Sequence, residues 1–468
     1  MILDELKSIN NDWLVGYDSY QFSCLVKQLY LELVELGQQE TSPKILLAQS
    51  DPIRFMAGFI AACAAGCPVF LCNPNWVKSE WEQVFDLVQP DIIWSDSPQI
   101  KQQEKYLIQN LKLTSERFVS LEGKLGEGSK IQNQIMIPTG GSSGKIRFAI
   151  HTWETLSASV QGMRKYFQLQ QINSFCVLPL YHVSGLMQFI RSFTTNGKLV
   201  LLPFKALESG EIPEIDPSQF FISLVPTQLQ RLLENPTSES WLSEFQTVLL
   251  GGAPAWLELL EQARSYGIRL ALTYGMTETA SQIVTLKPED FLNGYNNCGK
   301  VLPHAKVNII SSTNQILEKN QTGIVSIQSK SLALGYYPNL FIQPEEFKLD
   351  DLGFFDEGGY LNIIGRNSNK IITGGENVYP NEVEAAIRAT NLVKDVCVLG
   401  ISDRTWGQVV TAIYVPSNMS VTPTTIKAAI ADKLSNFKQP KRWIAVDNLP
   451  RNYQGKINRL QLQEIATL

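Results

Sequence analysis

The 468-residue sequence predicts an α/β fold: a large N-terminal domain of layered sheets with helices plus a small β unit, followed by a small α+β C-terminal domain. Apolar, strand-like runs alternate with helix-like segments up to about residue 280, as buried parallel strands and their crossover helices do. Shorter, turn-rich segments from about 300 to 365 indicate the small β unit. The alternation restarts after Gly365 and Arg366, which predicts domains at 1–366 and 367–468.

The strands of the large domain are predicted from β-rich runs at 45–48, 92–94, 175–178, 199–202, 221–224 and 247–250. Residues 55–72 carry no charge and have the length of a membrane-span candidate. Gly66 and Pro68 interrupt them, so we expect a buried helix that ends near Gly66, then a strand at 69–71. In the small domain we expect a helix after Pro380 and strands at 396–399 and 409–415.

Composition and charge limit the function classes. A formal net charge of −5 disfavours a nucleic-acid-binding protein, which usually presents a basic face. The N-terminus lacks the pattern of a signal peptide and the seven cysteines are an odd number, so we expect a cytoplasmic protein with reduced thiols. Three histidines without a HExxH pattern argue against a histidine-rich metal centre. We expect small-molecule ligands, no nucleic acid and no membrane span; a homo-oligomer is left open.

A glycine- and serine-rich loop between two apolar runs offers backbone N–H groups, hydroxyls and a cation, which suit phosphate oxygens. Its residues are Thr139, Gly140, Gly141, Ser142, Ser143, Gly144 and Lys145. It is not a Walker A loop, because Thr139 stands where glycine is needed, Ile146 stands where serine or threonine is needed, and a strand-like alternation follows. Taken alone, the loop also fits an ordinary hairpin turn.

The loop resembles the phosphate loop of the adenylate-forming superfamily, which includes acyl-CoA synthetases, adenylation domains and beetle luciferases. Arg147 would supply its second positive charge, since arginine can bind phosphate oxygens. Further segments resemble that family's motifs in the expected order, and they lie at 179–185, 250–254, 273–279, 297–303, 334–336, 350–353, 365–370, 373–384 and 449–457. With the loop, the resemblance spans residues 139–456.

The resemblance implies roles for individual residues. The nucleotide would be bound by the loop together with Arg147, Gly252, Ala253, Tyr274, Gly275, Asp351 and Arg366. Tyr274 would stack on adenine, and Asp351 would accept the ribose hydroxyls. Thr277 would contact phosphate, Glu278 would hold Mg²⁺, and Lys456 would be the adenylation lysine.

Other residues are assigned to the acid, the hinge and the thiol. His182 would lie at the acid pocket with Ser184 and Gly275, Ser368 would be the hinge of a mobile small domain, and Gly374 and Gly375 would approach coenzyme A. In isolation each motif has a simpler explanation: a packed core histidine for His182, a helix cap at 277–278, a surface turn at 350–353 and a solvated lysine for Lys456.

The activity implied by the resemblance has two half-reactions. A carboxylate attacks the α-phosphorus of ATP and gives an acyl-adenylate and pyrophosphate. A thiol, usually that of coenzyme A, then displaces AMP. Mg²⁺ and the cationic side chains would neutralise the negative charge of the first step, and the small domain would swing about Ser368 between the two.

Within the superfamily, residues 179–194 and 277–286 most resemble the o-succinylbenzoate–CoA ligases of menaquinone and phylloquinone synthesis. Arg191 stands where that family has an arginine near the aromatic carboxylate, and helical spacing allows it to share the face of Ser184. The alternative for Arg191 is a surface arginine. The alternatives for the function are a CoA ligase for another aryl or fatty acid and a carrier-protein adenylation enzyme.

Overall fold

The computed structural model describes residues 2–36, 42–101, 134–140, 145–341, 346–373, 376–451 and 457–467. The described helices are α1 Ile2–Ser8, α2 Ser19–Leu36, α3 Pro52–Ala64, α4 Lys78–Val88, α5 Pro98–Lys101, α6 Trp153–Phe167, α7 Val183–Thr194, α8 Phe204–Glu208, α9 Pro226–Leu233, α10 Pro236–Ser243, α11 Leu257–Ser265, α12 Pro288–Leu292, α13 Pro380–Arg388, α14 Pro423–Ile430 and α15 Arg459–Thr467.

The strands are β1 Ile45–Ala48, β2 Val69–Leu71, β3 Ile92–Ser95, β4 Ile135–Gly140, β5 Ile146–His151, β6 Asn173–Cys176, β7 Leu199–Leu201, β8 Phe220–Leu224, β9 Thr247–Leu250, β10 Leu270–Met276, β11 Ser281–Thr285, β12 Lys300–Val301, β13 Ala305–Ile310, β14 Gly323–Ser329, β15 Gly335–Tyr336, β16 Asn339–Leu340, β17 Phe347–Phe355, β18 Leu361–Arg366, β19 Ile371–Thr373, β20 Glu376–Val378, β21 Val393–Asp403, β22 Gly407–Pro416 and β23 Arg442–Ala445.

The chain divides into two compact units. The first comprises 1–207, 276–281 and 330–344, and the second comprises 208–275, 282–329 and 345–468. Residues on both sides of 366 belong to the second unit, so the domain boundary drawn there from the sequence stays a prediction.

The first unit contains a seven-stranded sheet in the order β16-β15-β5-β4-β2-β1-β3. β1, β2, β3 and β4 pair in parallel, whereas β4 and β5 form an antiparallel hairpin and β15 pairs antiparallel with β5. All four residues of β1 are buried, as its continuous apolar run predicts. Trp76, Trp81 and Phe148 pack in the core beside this sheet.

The second unit contains parallel pairs of β8, β9 and β10 and a four-stranded antiparallel sheet in the order β13-β14-β17-β18. Its C-terminal part has a sheet of β19 to β23, whose core includes Val383, Val398 and Tyr414. The α/β class, the small β unit and the α+β C-terminal part agree with the sequence prediction.

Most predicted elements are confirmed with small shifts. The strands predicted at 45–48, 69–71 and 247–250 have those limits, and α3 ends two residues before Gly66, which has a φ of +74°. β6 ends at Cys176 rather than 178, because the chain turns toward α7 and Pro179 accepts a bond from the His182 N–H. α13 begins at Pro380 itself, since the first helical position needs no N–H donor. None of the described helices is long and apolar enough to cross a membrane.

Candidate active site

Glu278 is a buried carboxylate of the first unit. It lies in a short 3-10 turn at Thr277–Thr279 and is 7% exposed. Its Oε1 accepts a hydrogen bond from the Tyr336 hydroxyl at 2.5 Å and one from Thr139 Oγ1 at 3.4 Å. Thr139 is the first residue of the glycine-rich loop, so the structure brings the loop's hydroxyl and the predicted metal ligand together.

Three hydrogen bonds to carbonyl oxygens hold the backbone around Glu278. His151 Nε2 lies 2.8 Å from the carbonyl oxygen of Thr277, the Ala333 N–H donates to the Glu278 carbonyl at 2.8 Å, and Ser159 Oγ donates to the Ala280 carbonyl at 2.7 Å. A carbonyl oxygen only accepts, so His151 Nε2 carries the proton. Burial lowers the pKa of His151 to about 4, which keeps the imidazole neutral near pH 7.

The described arms of the glycine-rich loop are β4 and β5. Their register sets Thr139 opposite Arg147 and Gly140 opposite Ile146. The guanidinium carbon of Arg147 lies 4.3 Å from the centre of the Tyr336 ring, a cation–π contact. The Walker A alternative stays excluded, because β5 rather than a helix follows the loop. Lys145 is exposed, while Gly141, Ser142, Ser143 and Gly144 lie outside the described residues.

Two of the predicted acid-binding residues, His182 and Ser184, lie at the start of α7. His182 directly precedes the helix and is half-buried, as is Ser184. A Cβ at Gly185 would lie 2.2 Å from the Pro179 carbonyl oxygen, so this turn requires glycine. The chain can therefore double back closely before α7, which leaves His182 and Ser184 at the N-terminal end of the helix.

Arg191 lies further along the same helix. It is 3% exposed, so the surface-arginine alternative is wrong. Its Nη2 donates to Ser281 Oγ at 3.0 Å. Burial lowers its pKa to about 10, which still leaves the guanidinium charged near pH 7. Arg191 therefore presents its charge at segment 276–281, which also carries Glu278.

The predicted ribose site lies in the second unit. Asp351 in β17 is directly opposite Arg366 in β18, and Arg366 Nε lies 3.4 Å from Asp351 Oδ1. The Tyr274 hydroxyl donates to Asp351 Oδ2 at 2.6 Å. Burial, followed by the charge of Asp351, raises the pKa of Tyr274 well above its usual range, so the hydroxyl remains a donor. Asp351 is in a strand with its side chain 14% exposed, and the surface-turn alternative is wrong.

A glycine turn follows β9 in the same unit. Gly252 has a φ of +81°, which favours glycine, and both Gly252 and Ala253 are exposed. A Cβ at Gly251 would lie 2.2 Å from Thr273 Oγ1, so the turn packs closely on the strand that carries Tyr274. Gly275 is half-buried beside Tyr274. The predicted adenine-side residues therefore belong to adjoining segments.

Comparison with known proteins explains this arrangement. Residues 20–337 match the model of the AMP-binding enzyme family, and residues 382–456 match that of the AMP-binding enzyme C-terminal domain. The chain belongs to the AMP-binding enzyme family. It is 31% identical over 457 residues to a 2-succinylbenzoate–CoA ligase of Listeria monocytogenes, covering 95% of this chain and 93% of that protein. It is 35% identical over 339 residues to the enzyme of the same name from Listeria innocua, covering 70% of this chain and 68% of that protein.

Two solved structures share the fold. The o-succinylbenzoate CoA synthetase of Bacillus subtilis, in complex with its acyl-adenylate intermediate, matches with a TM-score of 0.82 at 24% identity over 99% of this chain and 97% of that one. ATP-bound MatB of Rhodopseudomonas palustris matches with a TM-score of 0.83 at 21% identity over 99% of this chain and 98% of that one.

The hinge and thiol-side predictions are only partly covered by the described residues. Ser368 is exposed, its N–H donates to Asp350 Oδ1 at 3.1 Å, and its hydroxyl donates to Asp350 Oδ2. Lys456, Gly374 and Gly375 lie outside the described residues, so their roles stay predictions.

Two residues of the site were not found from the sequence. The resemblance assigns no role to Tyr336, although it lies in a motif segment, and the sequence marks His151 only as one of three histidines. A usable signal for His151 was its place at the end of a strand-like run, directly before the Thr152 cap of α6. The contact of Tyr336 with Glu278 joins residues 58 positions apart, and no local pattern encodes it.

The donors around Glu278 fit a hard divalent cation. The described residues contain no cluster of three or more histidine, cysteine or acidic side chains, so a metal held entirely by protein ligands is not indicated there. Mg²⁺ is usually held by one or two carboxylates, with phosphate oxygens and water completing the shell. Glu278, with the Thr139 hydroxyl beside it, matches that donor set.

Proposed function

We propose that this protein is an AMP-forming o-succinylbenzoate–CoA ligase. The substrate carboxylate attacks the α-phosphorus of ATP and releases pyrophosphate, and the coenzyme A thiol then attacks the acyl carbon and releases AMP. The observation that carries the proposal is the near full-length similarity to curated 2-succinylbenzoate–CoA ligases, 31% over 457 residues. The geometry supports it, because the carboxylate suited to Mg²⁺ and the carboxylate suited to ribose both accept a tyrosine hydroxyl and have little solvent exposure.

In this proposal the nucleotide is bound by the residues that the resemblance assigns to it. Tyr274 contacts adenine beside Gly252, Ala253 and Gly275, and Asp351, charge-balanced by Arg366, accepts the ribose hydroxyls. Residues 139–145, together with Arg147 and Thr277, bind the phosphates. Bound at Glu278, Mg²⁺ supplies electrostatic stabilisation of the charge on the phosphates.

The acid is bound near the start of α7. His182 and Ser184 are half-buried there and are proposed to contact the acyl part. Arg191 is proposed to attract the second carboxylate of o-succinylbenzoate, because a carboxylate in an apolar pocket needs a cation. Arg191 Nη2 donates to the neutral hydroxyl of Ser281.

The small domain is proposed to begin at 367 and to carry Lys456 as the adenylation lysine. A swing about Ser368 withdraws Lys456 after the first step and brings Gly374 and Gly375 to the thiol. Support comes from the separate family model for the C-terminal domain at 382–456. We also propose that the enzyme acts in the cytoplasm on small molecules alone, which suits a net charge of −5 and cysteines that are free throughout the described chain.

A panel of acids tests the proposal. Pyrophosphate release is measured with o-succinylbenzoate, benzoate, 4-phenyl-4-oxobutanoate and octanoate, each with and without coenzyme A. We expect o-succinylbenzoate to be preferred by at least tenfold in kcat/KM, with thioester formed only when coenzyme A is present. Preference for a plain aryl or fatty acid would assign a different CoA ligase. Activation without thioester formation from coenzyme A would favour a carrier-protein adenylation enzyme.

A variant of Arg191 can be compared with the wild type on the same panel of acids. Loss of a charged hydrogen bond costs roughly 1.5–3 kcal/mol, so Arg191→Leu should lower kcat/KM for o-succinylbenzoate about 10- to 100-fold. It should spare 4-phenyl-4-oxobutanoate, which lacks the ring carboxylate. An equal fall for both acids would mean that Arg191 only supports the fold through Ser281. Circular dichroism of both proteins checks that the variant is folded.

A further inference from the structure

Tyr336 lies in a short strand, β15, next to the edge strand of the first unit's sheet. Its β15 pairs antiparallel with β5, with Tyr336 opposite Ala149, and also pairs with β16. A Cβ at Gly335 would lie 2.2 Å from the Asn339 carbonyl oxygen, so β15 and β16 approach closely only with glycine there. This packing fixes the backbone from which the Tyr336 side chain extends.

The Tyr336 ring lies between a cation and a carboxylate. The guanidinium of Arg147 is 4.3 Å from the ring centre, and the hydroxyl donates to Glu278 Oε1 at 2.5 Å. Thr139 Oγ1 reaches the same oxygen at 3.4 Å. Among the described residues, Oε1 is thus the Glu278 side-chain oxygen that accepts these hydrogen bonds. Oε2 is the oxygen that we assign to a ligand.

We propose that Tyr336 is a positioning residue that fixes the Glu278 carboxylate so that Oε2 faces the divalent cation bound with ATP. The proposal rests on the proposed function, which makes Glu278 the metal ligand. A hydrogen bond to one oxygen fixes the plane of a carboxylate and the direction of its other oxygen. Such supporting contacts to metal ligands typically contribute 10- to 100-fold to metal affinity.

The aromatic ring of Tyr336 also has a structural role, and the test must leave that role intact. It packs edge-on against Phe341 with ring centres 5.4 Å apart and supports Arg147 on its face. Tyr336→Phe keeps both contacts and removes only the hydroxyl. The matched control is Tyr337→Phe, which removes a hydroxyl from the next residue, whose ring packs on Phe70 at 4.9 Å.

The experiment measures metal binding directly. Free Mn²⁺ is followed by electron paramagnetic resonance as the full-length protein is titrated with Mn²⁺ in the presence of α,β-methylene-ATP. We expect Tyr336→Phe to raise the Mn²⁺ dissociation constant at least tenfold, with an unchanged melting temperature and unchanged affinity for the analogue without metal. Tyr337→Phe should behave as the wild type. An unchanged Mn²⁺ affinity in Tyr336→Phe would overturn the proposal.

Measurements on a Glu278→Gln variant separate the role of Tyr336 from the assignment of Glu278 as the metal ligand. Glu278→Gln should itself weaken Mn²⁺ binding, and adding Tyr336→Phe to it should have no further effect, because both act through one carboxylate. If Glu278→Gln leaves Mn²⁺ binding unchanged, the metal assignment in the proposed function is wrong. If Glu278→Gln weakens binding and Tyr336→Phe does not, only the role of Tyr336 is wrong.

Discussion

Two carboxylates with little solvent exposure, one in each compact unit, differ in what compensates their charge. Glu278 accepts hydrogen bonds from the hydroxyls of Tyr336 and Thr139, and no basic group of the described residues lies within ion-pair distance of it. Asp351 also accepts a tyrosine hydroxyl, from Tyr274 at 2.6 Å, but has Arg366 Nε 3.4 Å away. Tyrosine is thus the shared partner, and the arginine is the difference.

The difference indicates which of the two carboxylates is suited to bind a cation from solution. A carboxylate removed from water without a cation costs several kcal/mol, and hydroxyl donors offset only part of that cost. Glu278 is therefore suited to a divalent ion. Asp351 is already balanced by Arg366, so it can accept neutral hydroxyl donors such as those of ribose.

Removing the charge of Glu278 should have the largest effect. Glu278→Gln keeps the size of the side chain but abolishes the hard anionic ligand, so we expect the rate of adenylation to fall roughly 100- to 1,000-fold. Pyrophosphate release at saturating ATP and acid measures it. A fall of less than tenfold with unchanged Mg²⁺ dependence would contradict the difference drawn between the two carboxylates.

The next effect concerns the support of the Glu278 backbone by His151. Its pKa is about 4 in the fold against about 6.5 when unfolded, so the unfolded chain binds a proton in that interval that the native imidazole does not. Stability is therefore full above pH 6.5 and falls by about 3 kcal/mol as the pH drops to 4. His151→Gln should melt lower at pH 7.5 and show a flatter decline of melting temperature between pH 6.5 and 4. Parallel curves for both proteins would assign the acid sensitivity to other groups.

Removing the charge of Asp351 should act on nucleotide binding. Asp351→Asn weakens hydrogen bonds to ribose and leaves Arg366 without its carboxylate, and we expect the KM for ATP to rise about 10- to 100-fold. Adenylation at saturating ATP should stay within a few-fold of wild type, unlike Glu278→Gln. A fall in kcat with unchanged KM would give Asp351 a role in the chemical step instead.

The hydroxyl of Tyr274 should contribute less than the carboxylate it contacts. Tyr274→Phe keeps the ring beside adenine and removes one hydrogen bond, so the KM for ATP should rise about fivefold, or roughly 1 kcal/mol. Because burial and the charge of Asp351 raise the pKa of this phenol, ionisation of Tyr274 should not alter the wild-type KM between pH 7 and 9. Stopped-flow nucleotide binding at several pH values checks both statements.

The fold was largely predictable from the sequence, since continuous apolar runs define strands such as β1 and the motifs occur in order. The roles of the individual site residues stay predictions. The pairing of Asp351 with Arg366 was not predictable, because it depends on the register of β17 and β18 across a bulge. The contact of Tyr336 with Glu278 likewise depends on the pairing of β15 with β5. The burial of Arg191 stayed open, because helical spacing assigns a face to a residue and does not say what covers that face.

A third carboxylate extends the comparison to an exposed site and should give the smallest effect. Asp350 is adjacent to Asp351 but exposed, and its oxygens accept the N–H of Ser368 at 3.1 Å and the Ser368 hydroxyl. Water competes with such exposed contacts, so Asp350→Asn should change stability and overall turnover by less than about 1 kcal/mol, or fivefold.

If Ser368 is the hinge, the effect of Asp350→Asn should still be unequal between pyrophosphate release and the conversion of preformed acyl-adenylate to thioester. Ser368→Ala should reproduce that inequality, and the double variant should add nothing, because one contact is lost in all three. Equal effects on both half-reactions would place the pivot at another residue.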